Sequence, residues 1–277
     1  MGNCLLSWEN KCQLSAATLT ASADNSSLPV SNLKTPICKV RYRTPAGTTG
    51  FVVTVDFGSL QQIDVLAIQQ PDDAGGIDAD NEPRGFMAAT DTVLHTLDDV
   101  TAGAGSLLNS GVIQGNWVEG YGLHYYVLPA PVMARYWQFT INAISLSSLG
   151  FVDLGLIWAG LGWRPTYNMI FGYQFGFEDV PDISVQPRSL IEFVDDTATR
   201  QICQLGFDSL TRAEALNSML ELQRVAKRQN QILFLEDPED ATHGNKRGMI
   251  GRIRETTPIS IPTFAQYQKT FTINQSL

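Results

Sequence analysis

The densest group of ionisable side chains is the run EDPED, in which Glu236, Asp237, Glu239 and Asp240 surround Pro238. Carboxylates this close offer oxygens to a hard cation or a pair for acid–base work. Calcium loops, however, space their acids regularly around a turning glycine, and here a proline stands at the centre. Acids beside proline also mark the exit from a strand, so the run reads as a solvated turn that holds no metal. Asp195 and Asp196 form a second pair, but neighbours on a strand point to opposite faces and cannot serve one substrate, so a hairpin turn is expected there. His95, His124 and His243 fall in segments that read as loops or strand ends, with no Gly-x-Ser-x-Gly elbow and no nearby cysteine in sequence. Cys4, Cys12, Cys38 and Cys203 form no C-x-x-C pair and lack histidines at zinc spacing, so free, packed thiols are expected. GAGS at residues 103–106 lacks the third glycine and the strand-to-helix setting of a phosphate-binding turn. These residue types point away from catalysis, and neither an enzyme nor a cofactor is expected.

One cluster suits binding instead. GNWVEGYGLHYY gathers Trp117, Tyr121, His124, Tyr125 and Tyr126 among glycines, a composition fit for stacking on sugar rings or for filling an interface. If the segment is a strand, Tyr121 and Tyr125 share one face and His124 and Tyr126 the other, so at least one aromatic row packs inside. The expected glycan or interface contacts are Trp117, Tyr121, His124 and Tyr125, with core packing as the alternative.

The elements that must position such groups are mostly strands. Charged residues make up only 17% of the 277, below the roughly 25% of an average domain, while 23 glycines and 13 prolines interrupt short apolar runs. The net charge of −9 and the scatter of 19 basic residues argue against nucleic acid as a partner. The start, MGNCLLSWEN, has no basic region ahead of an apolar stretch, and Leu6 stands where an acylation signal on Gly2 wants Ser or Thr. Residues 144–163 are apolar enough to suggest a membrane span. Asp153 at their centre argues for two buried strands and a turn, because a carboxylate at mid-bilayer costs roughly 2.5–3.5 kcal/mol.

In residues 49–71, Val53, Val55 and Phe57 line one face of a strand, a turn is expected at Gly58-Ser59, and Ile63 and Val65 resume the alternation. ARYWQFTINAI forms another alternating strand, and residues 72–81 and 101–115 read as loops. A boundary is expected near GLGWRPTYN, giving domains 1–160 and 161–277. In the second, Thr211 and Glu214 stand at capping-box spacing ahead of a helix over 211–229. Its Ala215, Met219, Leu222 and Ala226, flanked by Leu216 and Leu220, form the buried face, and Asn230 ends it. Ile232 and Phe234 then mark a strand, and YQKTFTIN a last one.

Two resemblances rest on these patterns. SNLKT, VVTVDFGSLQQIDVLAI and ARYWQFTI, spread over residues 15–158, resemble the discoidin-like, galactose-binding-like sandwich. Residues 165–277, with LTRAEALNSMLELQRVAKRQNQILFLEDPED, GMIGRIRE and YQKTFTIN, resemble the tube-type β-sandwich with one packed helix of bacteriophage distal tail and minor tail proteins. The resemblance implies a mainly β fold of two β-sandwich domains and a structural part in a tail tip or baseplate. Its partners would be other tail proteins and further copies of itself, in a homo-oligomeric ring of six. The protein would be made in the host cytoplasm and carried in the virion tail. The C-terminal strand, with Tyr267, Phe271 and Ile273, is expected to be the edge through which copies pair. A carbohydrate-binding module contacting host surface polysaccharide is the alternative.

Overall fold

The computed structural model describes residues 2–71, 87, 92–100, 107–113, 122–142, 149–170, 172–179, 182–185, 192–195, 199–240, 242–263 and 266–276. It is mainly β. In chain order the strands are β1 (Leu5–Ser7), β2 (Thr18–Ala21), β3 (Tyr42–Arg43), β4 (Phe51–Gln69), β5 (Thr92–Asp98), β6 (Leu107–Ile113), β7 (Leu123–Asn142), β8 (Asp153–Leu154) and β9 (Leu156–Gly160). They continue with β10 (Gln174–Asp179), β11 (Asp182–Val185), β12 (Glu192–Asp195) and β13 (Thr199–Leu210). A helix follows, wound as a π-helix over Glu214–Met219 and as the α-helix α1 over Leu220–Ala226. The chain closes with β14 (Gln231–Leu235), β15 (Gly248–Thr256), β16 (Ser260–Thr263) and β17 (Gln266–Gln275).

The first sheet runs β2-β4-β7-β5-β6, with β9 also on β4, and the small pair β3–β8 lies apart from it. Alternation decides its inner face: Phe51, Val53, Val55 and Phe57 of β4 and Trp137, Phe139 and Ile141 of β7 are buried, while the residues between them are not. The turn expected at Gly58-Ser59 is absent, because β4 runs straight through it. The register against β7 slips between Asp56 and Gln61, and Gly58, at φ +78°, absorbs the irregularity while its amide donates to Asp56 Oδ1 at 2.8 Å. Of the apolar run at 144–163, the described residues 149–163 contain β8 and β9, with every residue of β9 buried. Among the described residues no helix is long and apolar enough to cross a membrane.

The second sheet runs β1-β14-β15-β17-β13-β10, with β16 also on β17. The segment before β10 links β1, at one end of this sheet, to β13. Leu6 and Trp163 exchange backbone hydrogen bonds of 2.9 and 2.7 Å, Asn168 Oδ1 accepts from the Cys4 amide at 3.0 Å, and the Ile170 amide donates to Gly206 at 3.0 Å. Leu205, Phe207, Phe234, Met249, Phe271 and Ile273 fill the inside together with Ala215, Met219, Leu222 and Ala226 of the helix. Placing β1 here corrects the division at residue 160, since the chain starts in the second unit and then crosses to the first.

Thr211 and Glu214 form the capping box. The Glu214 carboxylate accepts from the Thr211 amide at 2.9 Å, and the Glu214 amide donates to Thr211 Oγ1 at 3.2 Å. Leu216 and Leu220 are a correction, being 44% and 50% exposed. With Ala215, Met219, Leu222 and Ala226 facing the core, both leucines lie to its side. The helix ends at Ala226 and not at 229. Lys227, not Asn230, takes the positive φ of 50°, and Asn230 Nδ2 instead donates back to the Val225 carbonyl at 2.7 Å.

The two units share a third core, in which Leu5, Leu233, Leu235 and Ile250 from the outside of the curled sheet meet Val65, Ala67, Leu123, Leu156 and Trp158. Burying a large apolar side chain contributes about 1.5–3 kcal/mol, so a seam of this many side chains joins the halves firmly.

Candidate functional site

Two of the expected aromatic contacts, Trp117 and Tyr121, lie outside the described residues. The other two are inside the protein: His124 is fully buried and Tyr125 is 7% exposed. Tyr125 belongs to the seam core and its hydroxyl reaches the Asp237 carbonyl, at 3.5 Å. It packs so closely on Gly244 that a Cβ there would overlap the phenol oxygen. Neither ring offers a free face to a sugar, and the interface that Tyr125 fills is between the chain's own halves.

The C-terminal strand is also corrected. β17 pairs with β15 on one side and β13 on the other, so it is central, and Phe271 and Ile273 are core residues with Tyr267 packed beside them. The ends of this sheet are β1 and β10.

EDPED is not a solvated turn throughout, because Glu236 and Asp237 are buried. Arg247 makes a two-pronged ion pair with Glu236, whose other contact is the Tyr173 hydroxyl. Asp237 Oδ1 accepts from the amides of Gly2 at 3.1 Å and Glu239 at 3.2 Å, and Asp240 Oδ1 from Thr242 at 2.9 Å and His243 at 3.0 Å. These carboxylates tie the N-terminus and the β14–β15 connection together, which leaves them occupied rather than poised for a substrate. Among the described residues no three metal-ligating side chains gather. Asp195 ends β12, and Asp196 lies outside the described residues.

The groups best known for chemistry are held in unreactive forms. All four cysteines are buried and unbridged, and burial pushes the Cys4 and Cys203 thiols up to about 12. Burial lowers His95 to about 4 and His124 well below its ordinary value. His95 stacks on Tyr126 with ring centres 4.4 Å apart, and neither of its nitrogens has a hydrogen-bond partner among the described residues. Below about pH 6.5 the unfolded chain therefore takes up protons that the native chain refuses, so stability falls as the pH drops, by about 2 kcal/mol from His95 alone at about pH 5. Thermal melts across that window check this. The fall should be smaller in His95→Gln, and a melting temperature unchanged over the window would contradict it.

The outside of the curled sheet has a different character. Because Cys203, Leu205 and Phe207 point inward, Ile202, Gln204 and Gly206 point outward, and Thr270, Thr272 and Asn274 do so on β17. The register places Gln174, Gln204 and Thr272 in one row across three strands, and Gly176, Ile202, Asn274 and Arg252 in the next. Two clefts indent this face and share Gln204. One of about 310 Å³ lies over Gly206, Thr270 and Thr272, and one of about 170 Å³ lies against Gln174 and Gly176. Its far end turns basic. Arg200 Nη2 at 2.7 Å and Arg254 Nη1 at 3.1 Å both hold Glu178, and hydrogen bonding from Arg200, then Arg254, keeps that carboxyl below its usual range.

There the face ends in a third cleft, of about 240 Å³, where Pro36 and Ile37 of the first unit meet Arg200, Arg252, Asn274 and Ser276. Gln231 Nε2 pins the Pro36 carbonyl to the sheet at 2.9 Å. The alternation of YQKTFTIN contained a signal for this face. Its outward residues on β17 are Thr270, Thr272 and Asn274, uncharged hydrogen-bonding groups in place of the lysines and glutamates of a merely solvated strand.

No protein-family model and no curated protein sequence matches the chain. Among solved structures, the carbohydrate-binding module CpGH89CBM32-6 of Clostridium perfringens is similar over 56% of this chain and 99% of its own, at 13% identity and a TM-score of 0.37. The family 32 carbohydrate-binding module of C. perfringens NanJ, solved with galactose, matches 56% of this chain and 98% of its own, at 15% identity and a TM-score of 0.37. A GH29 fucosidase of Ruminococcus gnavus, solved with fucose, matches 55% of this chain at 15% identity and a TM-score of 0.39, and the match spans 26% of the fucosidase. At such identities and scores no residue or ligand is carried across.

Proposed function

We propose that this protein is a non-catalytic glycan-binding protein, with the polar outer face of the second sheet as its saccharide surface. The observation that supports this is the group of outward, uncharged Gln204, Thr270, Thr272 and Asn274 on β13 and β17, with the open Gly176 beside it and clefts indenting the face. Saccharides present closely spaced hydroxyls, each donor and acceptor at once. Amide and hydroxyl side chains answer both roles, and glycines let a ring approach the backbone. Retention of the full chain on immobilised polysaccharides, reversed by soluble oligosaccharide, tests the reading, and failure to be retained on any of them would overturn it.

A structural part in a phage tail tip or baseplate is the second reading, favoured by one observation. Leu216 and Leu220, four apart on the helix, are half exposed while the rest of its apolar face is buried. Burial of that pair against another copy or a neighbouring tail protein would remove the exposure, in a ring of six or another closed assembly. The native mass decides: a discrete multiple of the chain mass supports the ring, and a monomer that binds no tail protein removes it.

A further inference from the structure

We infer that the cleft at the seam of the two units is a subsite for a carboxylate-bearing sugar residue, an inference that rests on the glycan-binding reading and names its ligand class. The first ground is charge. In a chain of net charge −9, Arg200, Arg252 and Arg254 lie on one stretch of the outer face, and Glu178 answers two of them. Arg252 is exposed, lines the cleft and is in no ion pair among the described residues. The cleft therefore carries one cation, Arg252, that no anion among the described residues answers.

The second ground is independent of charge. Asn274 and Ser276 both line the cleft and are each 8% exposed, yet Asn274 Oδ1 and Ser276 Oγ have no hydrogen-bond partner among the described residues. A buried polar atom left without a partner forfeits a hydrogen bond it would make in water, so a ligand that supplies the partner gains on that account. Asn274 Nδ2 donates to Glu178 Oε2 at 3.3 Å, which fixes the amide with its oxygen as the group left over. An amide oxygen only accepts. The ligand must therefore bring a hydroxyl or N–H donor as well as an anion for Arg252, and a fully ionised phosphate or sulfate has no such donor.

Size limits the choice further. Sites for drug-sized ligands run to about 300–1,000 Å³, and this cleft of about 240 Å³ suits a single ring. Pro36 and Ile37 give that ring an apolar wall, and Arg252 offers a planar fork that matches a carboxylate with two parallel hydrogen bonds. A hydroxylated ring with one carboxylate, a uronic or sialic acid, meets all of these conditions.

The experiment titrates the full chain with glucuronic acid and with glucose, and with N-acetylneuraminic acid and with N-acetylglucosamine, by calorimetry or ligand-observed NMR. At least one acid should bind about tenfold more tightly than its neutral counterpart, and the advantage should shrink as salt is added. Arg252→Ala should abolish the preference without lowering the melting temperature, since Arg252 is exposed, and Arg252→Lys should keep part of it. Equal binding of acidic and neutral sugars would overturn this inference while leaving the glycan reading intact. Inorganic phosphate displacing the acids at equal concentration would overturn it too, leaving a plain anion site. Binding of no sugar at all, here and to immobilised polysaccharide, would overturn both.

Discussion

Asp153→Ala is expected to lower the stability of the chain by about 3–5 kcal/mol, the cost of removing one partner from a buried ion pair. Asp153 is fully buried, and Arg43 grips it through two hydrogen bonds, Nε to Oδ1 at 2.8 Å and Nη2 to Oδ2 at 3.0 Å. Arg41, whose side chain is 4% exposed, brings its Nε to 3.7 Å from the same carboxylate. The Phe151 ring lies 4.0 Å beneath the Arg43 guanidinium. Without the carboxylate, buried Arg41 and the mostly buried Arg43 lose the anion that they share beside an apolar core. Since whole domains are stable by about 5–15 kcal/mol, a third or more of the total would be lost. Urea unfolding followed by tryptophan fluorescence measures it, because Trp137 and Trp158 are both buried. A loss below about 1 kcal/mol would mean that Asp153 contributes no more than an exposed pair does.

Deleting residues 271–277 is expected to prevent the second unit from folding. β17 lies between β15 and β13, so truncation takes Phe271 and Ile273 out of the core and splits the sheet, leaving β15 and β13 each with one neighbour fewer. Truncating one buried phenylalanine alone costs about 3–5 kcal/mol, and the lost ladder adds to it. The shortened chain should be insoluble, or should melt without the cooperative transition of the full one. A soluble, cooperatively melting product with the full chain's β-sheet circular dichroism would show that β17 is dispensable, as a pairing edge would be.

The elements that were legible in the sequence are those settled by short-range physics. The alternation of VVTVDF and of RYWQFTI follows from the two-residue repeat of a strand, and Thr211 with Glu214 is a local motif that forms wherever a helix starts. What stayed hidden depends on partners distant in the chain. β1 is three residues long, and nothing in LLS says that it pairs with residues 233–235. EDPED looked like a solvated turn because Tyr173 and Arg247, which occupy Glu236, lie 63 and 11 residues away. Gly58 looked like a reversal because glycine serves turns and bulges alike, and the long register of β4 on β7 selects the bulge. YQKTFTIN was recognisable as a strand, but whether it is central or an edge is a property of the sheet. Of the candidate face only the polar alternation of YQKTFTIN was legible, since Gln204, Thr272 and Arg252 become neighbours only through the pairing of β13, β17 and β15.

The most direct test of the glycan-binding surface is a glycan array probed with the full chain and with Gln204→Trp. Gln204 is exposed and lines both of the first two clefts, so an indole there fills them without disturbing the inner core. The full chain should retain at least one glycan class, and Gln204→Trp, with an unchanged melting temperature, should lose it by about tenfold or more. A glycan retained equally by both proteins would place the binding surface elsewhere, and retention by neither would contradict the glycan-binding reading itself.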